Sequence, residues 1–324
     1  MAQRSRRIGN ILTGILVTLA VMVPAGVRAQ GRPVFSTHTL VHDGITREYQ
    51  LFVPERISRF KQVPLIIVLH GGGGSERGWA RSRGGDNWIE QARKDGFIVV
   101  FPEGYERRWN DGRDEIHRTA FGKPKYRADD VGFINRMIDV LIEEYPVDRD
   151  RIFATGISNG GFMSFRLALD LSDRIRAIAP VTAQISRALE DHEPQRPVSL
   201  MLINGTEDPL VPYDGGHVRI APQGRSRGEI LSTEETMGRF ARWNGCRGSV
   251  NRKELLDLSP NDGTRIERIS YTGCRNGNAV ILLKVIGGGH TWPGGMQYLP
   301  VKRIGRVSKD LNATQAIADF FLSF

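Results

Sequence analysis

Cysteine is nearly absent from this chain: 324 residues hold two, Cys246 and Cys274. Two thiols cannot make a zinc site alone, and no histidine spacing completes one, so no metal is expected. Histidine is scarce too, at seven residues, which leaves few candidates for a general base. No internal repeat is found, which excludes solenoid and propeller architectures. The 37 glycines fall in loops without a period, which excludes collagen. No basic stripe is interleaved with aromatics, so no nucleic-acid partner is expected despite a net charge of +9. Four of the basic residues, Arg4, Arg6, Arg7 and Arg28, lie in the first 29 positions, where there is no acid.

What is present begins with that terminus. Three arginines precede an apolar run from Ile11 to Val23, Pro24-Ala25-Gly26 break it, and Val27-Arg28-Ala29 offers small residues to a signal peptidase. This order reads as a signal peptide over residues 1–29, with an uncleaved anchor as the alternative. The run is short for a bilayer span, so no stable membrane insertion is expected after cleavage. Ser5-Arg6-Arg7 hints at twin-arginine export, although Gly9-Asn10 replace the usual apolar pair. The first cysteine comes only at 246, so none follows the apolar run to be lipidated. An exported chain, secreted or periplasmic, with two cysteines most simply pairs them, and Cys246–Cys274 is the expected disulfide.

A composition of 40% hydrophobic and 25% charged residues is that of a globular protein. The length suits two domains or one large α/β domain with insertions; residues 30–324 are read as one. Residues 37–53 read as two strands about a turn at Asp43-Gly44. Residues 64–70 (PLIIVLH) and 96–102 (GFIVVFP) are short apolar runs, the mark of strands buried on both faces. Further strands are expected at 151–156, 175–181, 198–205, 265–271 and 279–286, and helices at 129–144, 160–170, 233–243 and 311–322. This alternation predicts a mostly parallel sheet flanked by helices, with ligands outside the carboxyl ends of the strands. Residues 105–126 and 214–232 escape the pattern and read as loops, either solvated or forming a substrate lip.

Between the expected strand 151–156 and the helix after it lies Gly156-Ile157-Ser158-Asn159-Gly160-Gly161. A G-x-S-x-G turn in that setting projects the Ser158 hydroxyl at the head of a helix as a nucleophile. A serine nucleophile needs a base, and the base an orienting carboxylate, in the chain order Ser, acid, His on this fold. Asp208, just past the end of strand 198–205, is the expected acid, with Glu207 and Asp214 as rivals. His290, in the glycine-rich run 287–295 after a late strand, is the expected base, with His217 as runner-up. The Asn159 N–H, at the start of the helix, is a candidate oxyanion donor. A second donor should come from His70-Gly71-Gly72-Gly73-Gly74, where glycines allow close backbone approach. A phosphate-cradling role is excluded because no Lys-Ser/Thr follows. His70 itself reads as a structural hydrogen-bonder beneath that loop. Trp292 reads as a substrate-binding wall facing the cleft, with an inward anchor of the His290 loop as the alternative.

Taken together, these motifs resemble the α/β-hydrolase esterases that include polyhydroxybutyrate depolymerases and feruloyl esterases. Arg108-Trp109-Asn110-Asp111-Gly112, residues 129–133, Asn204–Asp208, Trp243–Cys246, Tyr271–Cys274 and GGGHTWPGG at 287–295 carry the likeness. The resemblance implies an exported serine esterase with Ser158, Asp208 and His290 as its triad. It implies Gly72 N–H as the second oxyanion donor and supports the Cys246–Cys274 pair. It implies no cofactor, and an ester partner: a hydroxyalkanoate oligomer or polymer, or a feruloylated polysaccharide fragment. The rivals are a serine peptidase on the same fold and a non-catalytic wall- or glycan-binding protein on a hydrolase scaffold.

Overall fold

The run VPLIIVL is buried along its whole length, and its alternate side chains enter two separate cores. Val63, Leu65, Ile67 and Leu69 face one, and Ile66 and Val68 the other. A strand of this kind belongs at the middle of a sheet covered on both faces. The computed structural model describes residues 35–58, 60–81, 83–113, 128–220 and 224–324. The expected signal segment 1–29 and most of the stretch 105–126 lie outside the described residues.

In chain order the elements are β1 (Ser36–His42), β2 (Ile45–Phe52), β3 (Val63–Leu69), α1 (Glu76–Arg81), α2 (Arg83–Asp95), β4 (Ile98–Pro102) and α3 (Asp130–Glu144). There follow β5 (Val147–Ile157), α4 (Asn159–Asp170), β6 (Ala177–Val181), β7 (Ser199–Gly205), β8 (Gly216–His217), β9 (Glu229–Ile230) and α5 (Thr233–Trp243). The chain closes with β10 (Val250–Glu254), β11 (Arg265–Tyr271), β12 (Val280–Ile286), α6 (Val301–Ile304) and α7 (Ala313–Leu322).

The main sheet runs in the order β1-β2-β4-β3-β5-β6-β7-β12-β11-β10. From β4 to β12 neighbouring strands are parallel, and the antiparallel pairs lie at the two edges. One core lies beneath α3, α4 and α5, with Phe133, Met137, Phe162, Phe165 and Phe240 packed on the sheet. The other lies beneath α2 and α7, where Phe321 stacks on Phe153 of β5 with ring centroids 4.7 Å apart. Local chemistry sets the helix starts. Asp129 accepts the Gly132 N–H at the head of α3, and Ser232 and Glu235 form a reciprocal capping box on α5. The 214–232 stretch, expected as a loop, carries the small β8–β9 pair.

Cys246 and Cys274 are bonded to each other. The bond ties the end of α5 to the connection between β11 and β12, beside a backbone hydrogen bond from Arg275 N–H to Asn244 O of 2.9 Å. Closing a loop of this size contributes about 3–4 kcal/mol in the chain-entropy model. Replacing both cysteines by serine should therefore lower Tm by several degrees. It should leave kcat/KM at 25 °C within about twofold, because the bond lies before the start of β12, away from the carboxyl ends of the parallel strands. Titration of two free thiols in the unfolded, unreduced protein would contradict the pairing.

Candidate active site

Three parallel strands deliver side chains to the same edge of the sheet: Ser158 follows β5, Asp208 follows β7, and His290 follows β12. Ser158 has φ 55° and ψ −120°, the left-handed side of the map, which costs a non-glycine residue about 1–3 kcal/mol. Its N–H donates to Val181 O at 2.9 Å, and its carbonyl accepts the Phe162 N–H at 2.8 Å. The strained turn lifts the hydroxyl off the strand and places it at the head of α4. Gly160 makes the turn sterically possible, since a Cβ there would sit 2.2 Å from Leu69 O.

The β7 and β12 ends are laced together. Glu207 N–H donates to Gly288 O at 2.8 Å, and Gly287 N–H to the Thr206 hydroxyl at 2.9 Å. Gly289 lies so close to the α6 region that a Cβ would meet Ile304 O at 2.1 Å. The outcome is a buried contact of 2.7 Å between His290 Nδ1 and Asp208 Oδ2. The other Asp208 oxygen accepts the N–H groups of Leu210 and Val211 at 2.8 and 2.9 Å. A carboxylate held on three sides fixes the ring so that Nδ1 carries its proton and Nε2 is left to accept one. The rivals are elsewhere. Glu207 pairs with Arg306 at 3.1 Å on the surface, Asp214 is exposed, and His217 lies beside the Ser226 hydroxyl.

The glycine loop after β3 lies against the head of α4. A Cβ built on Gly72 would be 3.6 Å from Asn159 Cβ, and one on Gly71 would be 3.8 Å from Ser158 Cβ. The loop uses the Gly73 and Gly74 N–H groups on Arg107 O and Gly71 O, each at 2.9 Å. Among the described residues, the Gly72 N–H meets no acceptor. The Asn159 N–H is at the first position of α4, where no intrahelical acceptor exists.

Beneath the loop, His70 accepts the Gly104 N–H on Nε2 at 3.0 Å, so Nδ1 carries the proton and donates to Gly71 O at 2.8 Å. Burial lowers this imidazole from its ordinary value to about 4. It is a neutral strut, as the sequence reading expects.

Two features escaped that reading. The Asn159 side chain clamps the Trp109–Asp111 segment: Nδ2 donates to Trp109 O at 3.0 Å and Asp111 Oδ2 at 2.6 Å, and Oδ1 accepts Trp109 N–H at 2.8 Å. Trp109 in turn donates its indole N–H to His70 O at 2.9 Å. The second is Tyr298, whose hydroxyl donates to His290 O at 3.0 Å while its ring is half-exposed. Burial of that hydroxyl, followed by the charge of Asp208, pushes it up to about 12.

The substrate-wall expectation for Trp292 is corrected. Its side chain is buried, it belongs to the core under α7, and its indole N–H donates to Thr314 Oγ1 at 3.1 Å. A ring in that position anchors the His290 loop from within. His42, Asp43 and Asp129 are the one described group with three metal-ligating atoms close together. They lie at the β1–β2 turn and the head of α3, where His42 already pairs with Asp129 at 3.0 Å.

Residues 44–210 match the family model described as "Putative esterase". A relative, "Putative esterase NocK" of Nocardia uniformis subsp. tsuyamanensis, is 30% identical, covering 94% of this chain and 88% of that protein. "Feruloyl esterase B" of Piromyces equi is 29% identical over 73% of this chain; the match spans 41% of that longer protein. Among solved structures, an acetyl xylan esterase from Aspergillus awamori shares the fold, with a TM-score of 0.54. It is 16% identical over 79% of this chain and 94% of that one. Among the described residues no helix is long and apolar enough to cross a membrane. The family match, the relatives and the sheet agree, and the chain belongs to the esterase family, as a carboxylic ester hydrolase with the α/β-hydrolase fold.

Proposed function

We propose that Ser158 is the nucleophile, His290 its general base and Asp208 the carboxylate that orients the imidazole. Ser158 Oγ attacks the ester carbonyl and passes its proton to His290 Nε2. The oxyanion is held by the Gly72 and Asn159 N–H groups, at the positive end of α4. His290 returns the proton to the departing alkoxide, and a water, activated by the same imidazole, cleaves the acyl-enzyme. The observation that carries this reading is the 2.7 Å His290–Asp208 contact on the strand edge that also carries the strained Ser158 turn.

The substrate we assign is a hydroxycinnamoyl ester on a polysaccharide fragment, and the product is the free aromatic acid. Support comes from a relative named as a feruloyl esterase and from the apolar stretch after His290, where Met296, Tyr298, Leu299 and Val301 are exposed. An aromatic acyl group packs on such a surface. Export through the 1–29 segment belongs to the same proposal and agrees with the Cys246–Cys274 bond.

The test is a panel of methyl ferulate, acetyl xylan, p-nitrophenyl esters of several chain lengths and hydroxybutyrate oligomers. Methyl ferulate should give the highest kcat/KM, by about tenfold over p-nitrophenyl acetate after correction for leaving-group reactivity. A preference for hydroxybutyrate oligomers would replace the substrate class while leaving the triad in place.

A further inference from the structure

The glycine loop runs from His70 to Glu76, and both of its ends are tied to Glu103 or its neighbour. At the first end, Gly104 N–H donates to His70 Nε2 at 3.0 Å. At the second, Glu76 N–H, the first of α1, donates to Glu103 Oε2 at 2.7 Å. The Glu76 and Glu103 carboxyl groups are also hydrogen-bonded to each other. A hydrogen bond between two carboxyl groups needs one of them protonated, so one proton is retained between them.

We propose that Glu103 and Glu76 share one proton and together position the oxyanion loop, so that loss of this proton disables the esterase. Neither group touches substrate; both act through the backbone of residues 71–75. This rests on the assignment of Gly72 as an oxyanion donor.

The surroundings fix which group holds the proton. Burial opposes ionisation of Glu76, but its hydrogen bond with Glu103 and the Arg77 Nε 3.1 Å from its carboxylate hold it below the usual range; Arg77 also pairs with Glu48, the third carboxylate of the cluster. Glu103 accepts the Glu76 N–H, which favours its anion, but among the described residues no guanidinium or ammonium group pairs with its carboxylate. Arg47, on β2, donates to its backbone carbonyl at 2.8 Å but spends its other contact on Asp130. Arg107, after β4, also favours the Glu103 anion, after the larger effects of burial and Glu76, and donates to Gly74 O at 3.0 Å. His70, at the end of β3, is 3.9 Å away and neutral. Burial, and then Glu76, push the Glu103 carboxyl up to about 8. Below about pH 8 Glu103 is protonated and donates to Glu76, and above it two anions face each other across the loop. Repulsion then pulls the start of α1 from Glu103 and moves the Gly72 N–H off the oxyanion position.

The experiment is a kcat profile from pH 6 to 10 by pH-stat on an aliphatic methyl ester, for wild type, Glu103→Gln and Glu76→Gln. Glutamine at 103 keeps the donor to Glu76 and the acceptor for its N–H without a proton to lose. Wild type should lose about fivefold in kcat between pH 7 and pH 9.5, with KM nearly constant. In both variants the ratio of kcat at the two pH values should stay within about twofold. Infrared spectra of wild type should show a protonated carboxylic acid at pH 7 that disappears by pH 10, and Glu103→Gln should lack it. A variant profile that falls like wild type, or a wild type with no such band, overturns the proposal even where a variant folds poorly. Fluorophosphonate labelling at pH 7 separates this failure from failure of the triad: an enzyme that labels at Ser158 but keeps its alkaline fall in Glu103→Gln has the triad without the proton-sharing pair.

Discussion

Ser158→Ala should lower kcat by at least about ten-thousand-fold while changing Tm by no more than about 2 °C. The Ser158 side chain contributes little packing, and alanine meets the same left-handed backbone conformation. The loss should be a kcat effect, because the ester contacts that set KM involve other groups. His290→Ala should cost a similar factor, and the double variant should be no worse than either single one, since nucleophile and base act as a unit. Full additivity of the two losses would mean that the residues act independently and would contradict the proposed roles.

Asp208→Asn should cost roughly ten-thousand-fold in kcat. The asparagine oxygen can still accept the Leu210 and Val211 N–H groups, so the turn after β7 should fold normally. Its amide, however, presents N–H to His290 Nδ1, where the carboxylate had accepted one. The ring then carries its proton on Nε2 and cannot take the one from Ser158. Glu207→Gln is the internal control: its carboxylate lies on Arg306 at the surface, and its removal should change kcat by less than about twofold. Comparable losses in the two variants, measured on one ester at one pH, would remove Asp208 from its assigned place.

The positions of Ser158, Asp208 and His290 were legible because each follows a strand that the sequence marks strongly. Residues 151–156 and 198–205 are apolar runs between turn signals, and the proposed acid and base come directly after strand ends in the chain order of this fold. His70 was legible for a related reason: a histidine closing a buried strand beneath glycines has backbone donors and acceptors close by. Trp292 was not, because a side chain in a loop has no periodicity to show which way it turns. Its direction is set by α7, where Thr314 waits for the indole N–H. The helices α1 and α2 were also missed. Their stretch is rich in arginine and includes Gly84-Gly85, so the apolar face reduces to Trp88, Ile89 and Ala92 at the end of α2. Edge strand β10 is exposed at every position and offers no alternation to read. Glu103 was invisible as a partner of Glu76 because a contact across 27 residues, between a strand end and a helix start, leaves no local signature.

The claim that everything else rests on is that Ser158 is an activated nucleophile, and a fluorophosphonate probe reports on it directly. Incubation of the wild-type protein at pH 7, followed by digestion and mass spectrometry, should give one adduct per chain, on the peptide that contains Ser158. The adduct should be absent from Ser158→Ala and strongly slowed in His290→Ala. An unlabelled wild-type protein that still hydrolyses the ester panel, or an adduct on any other residue, would contradict the account.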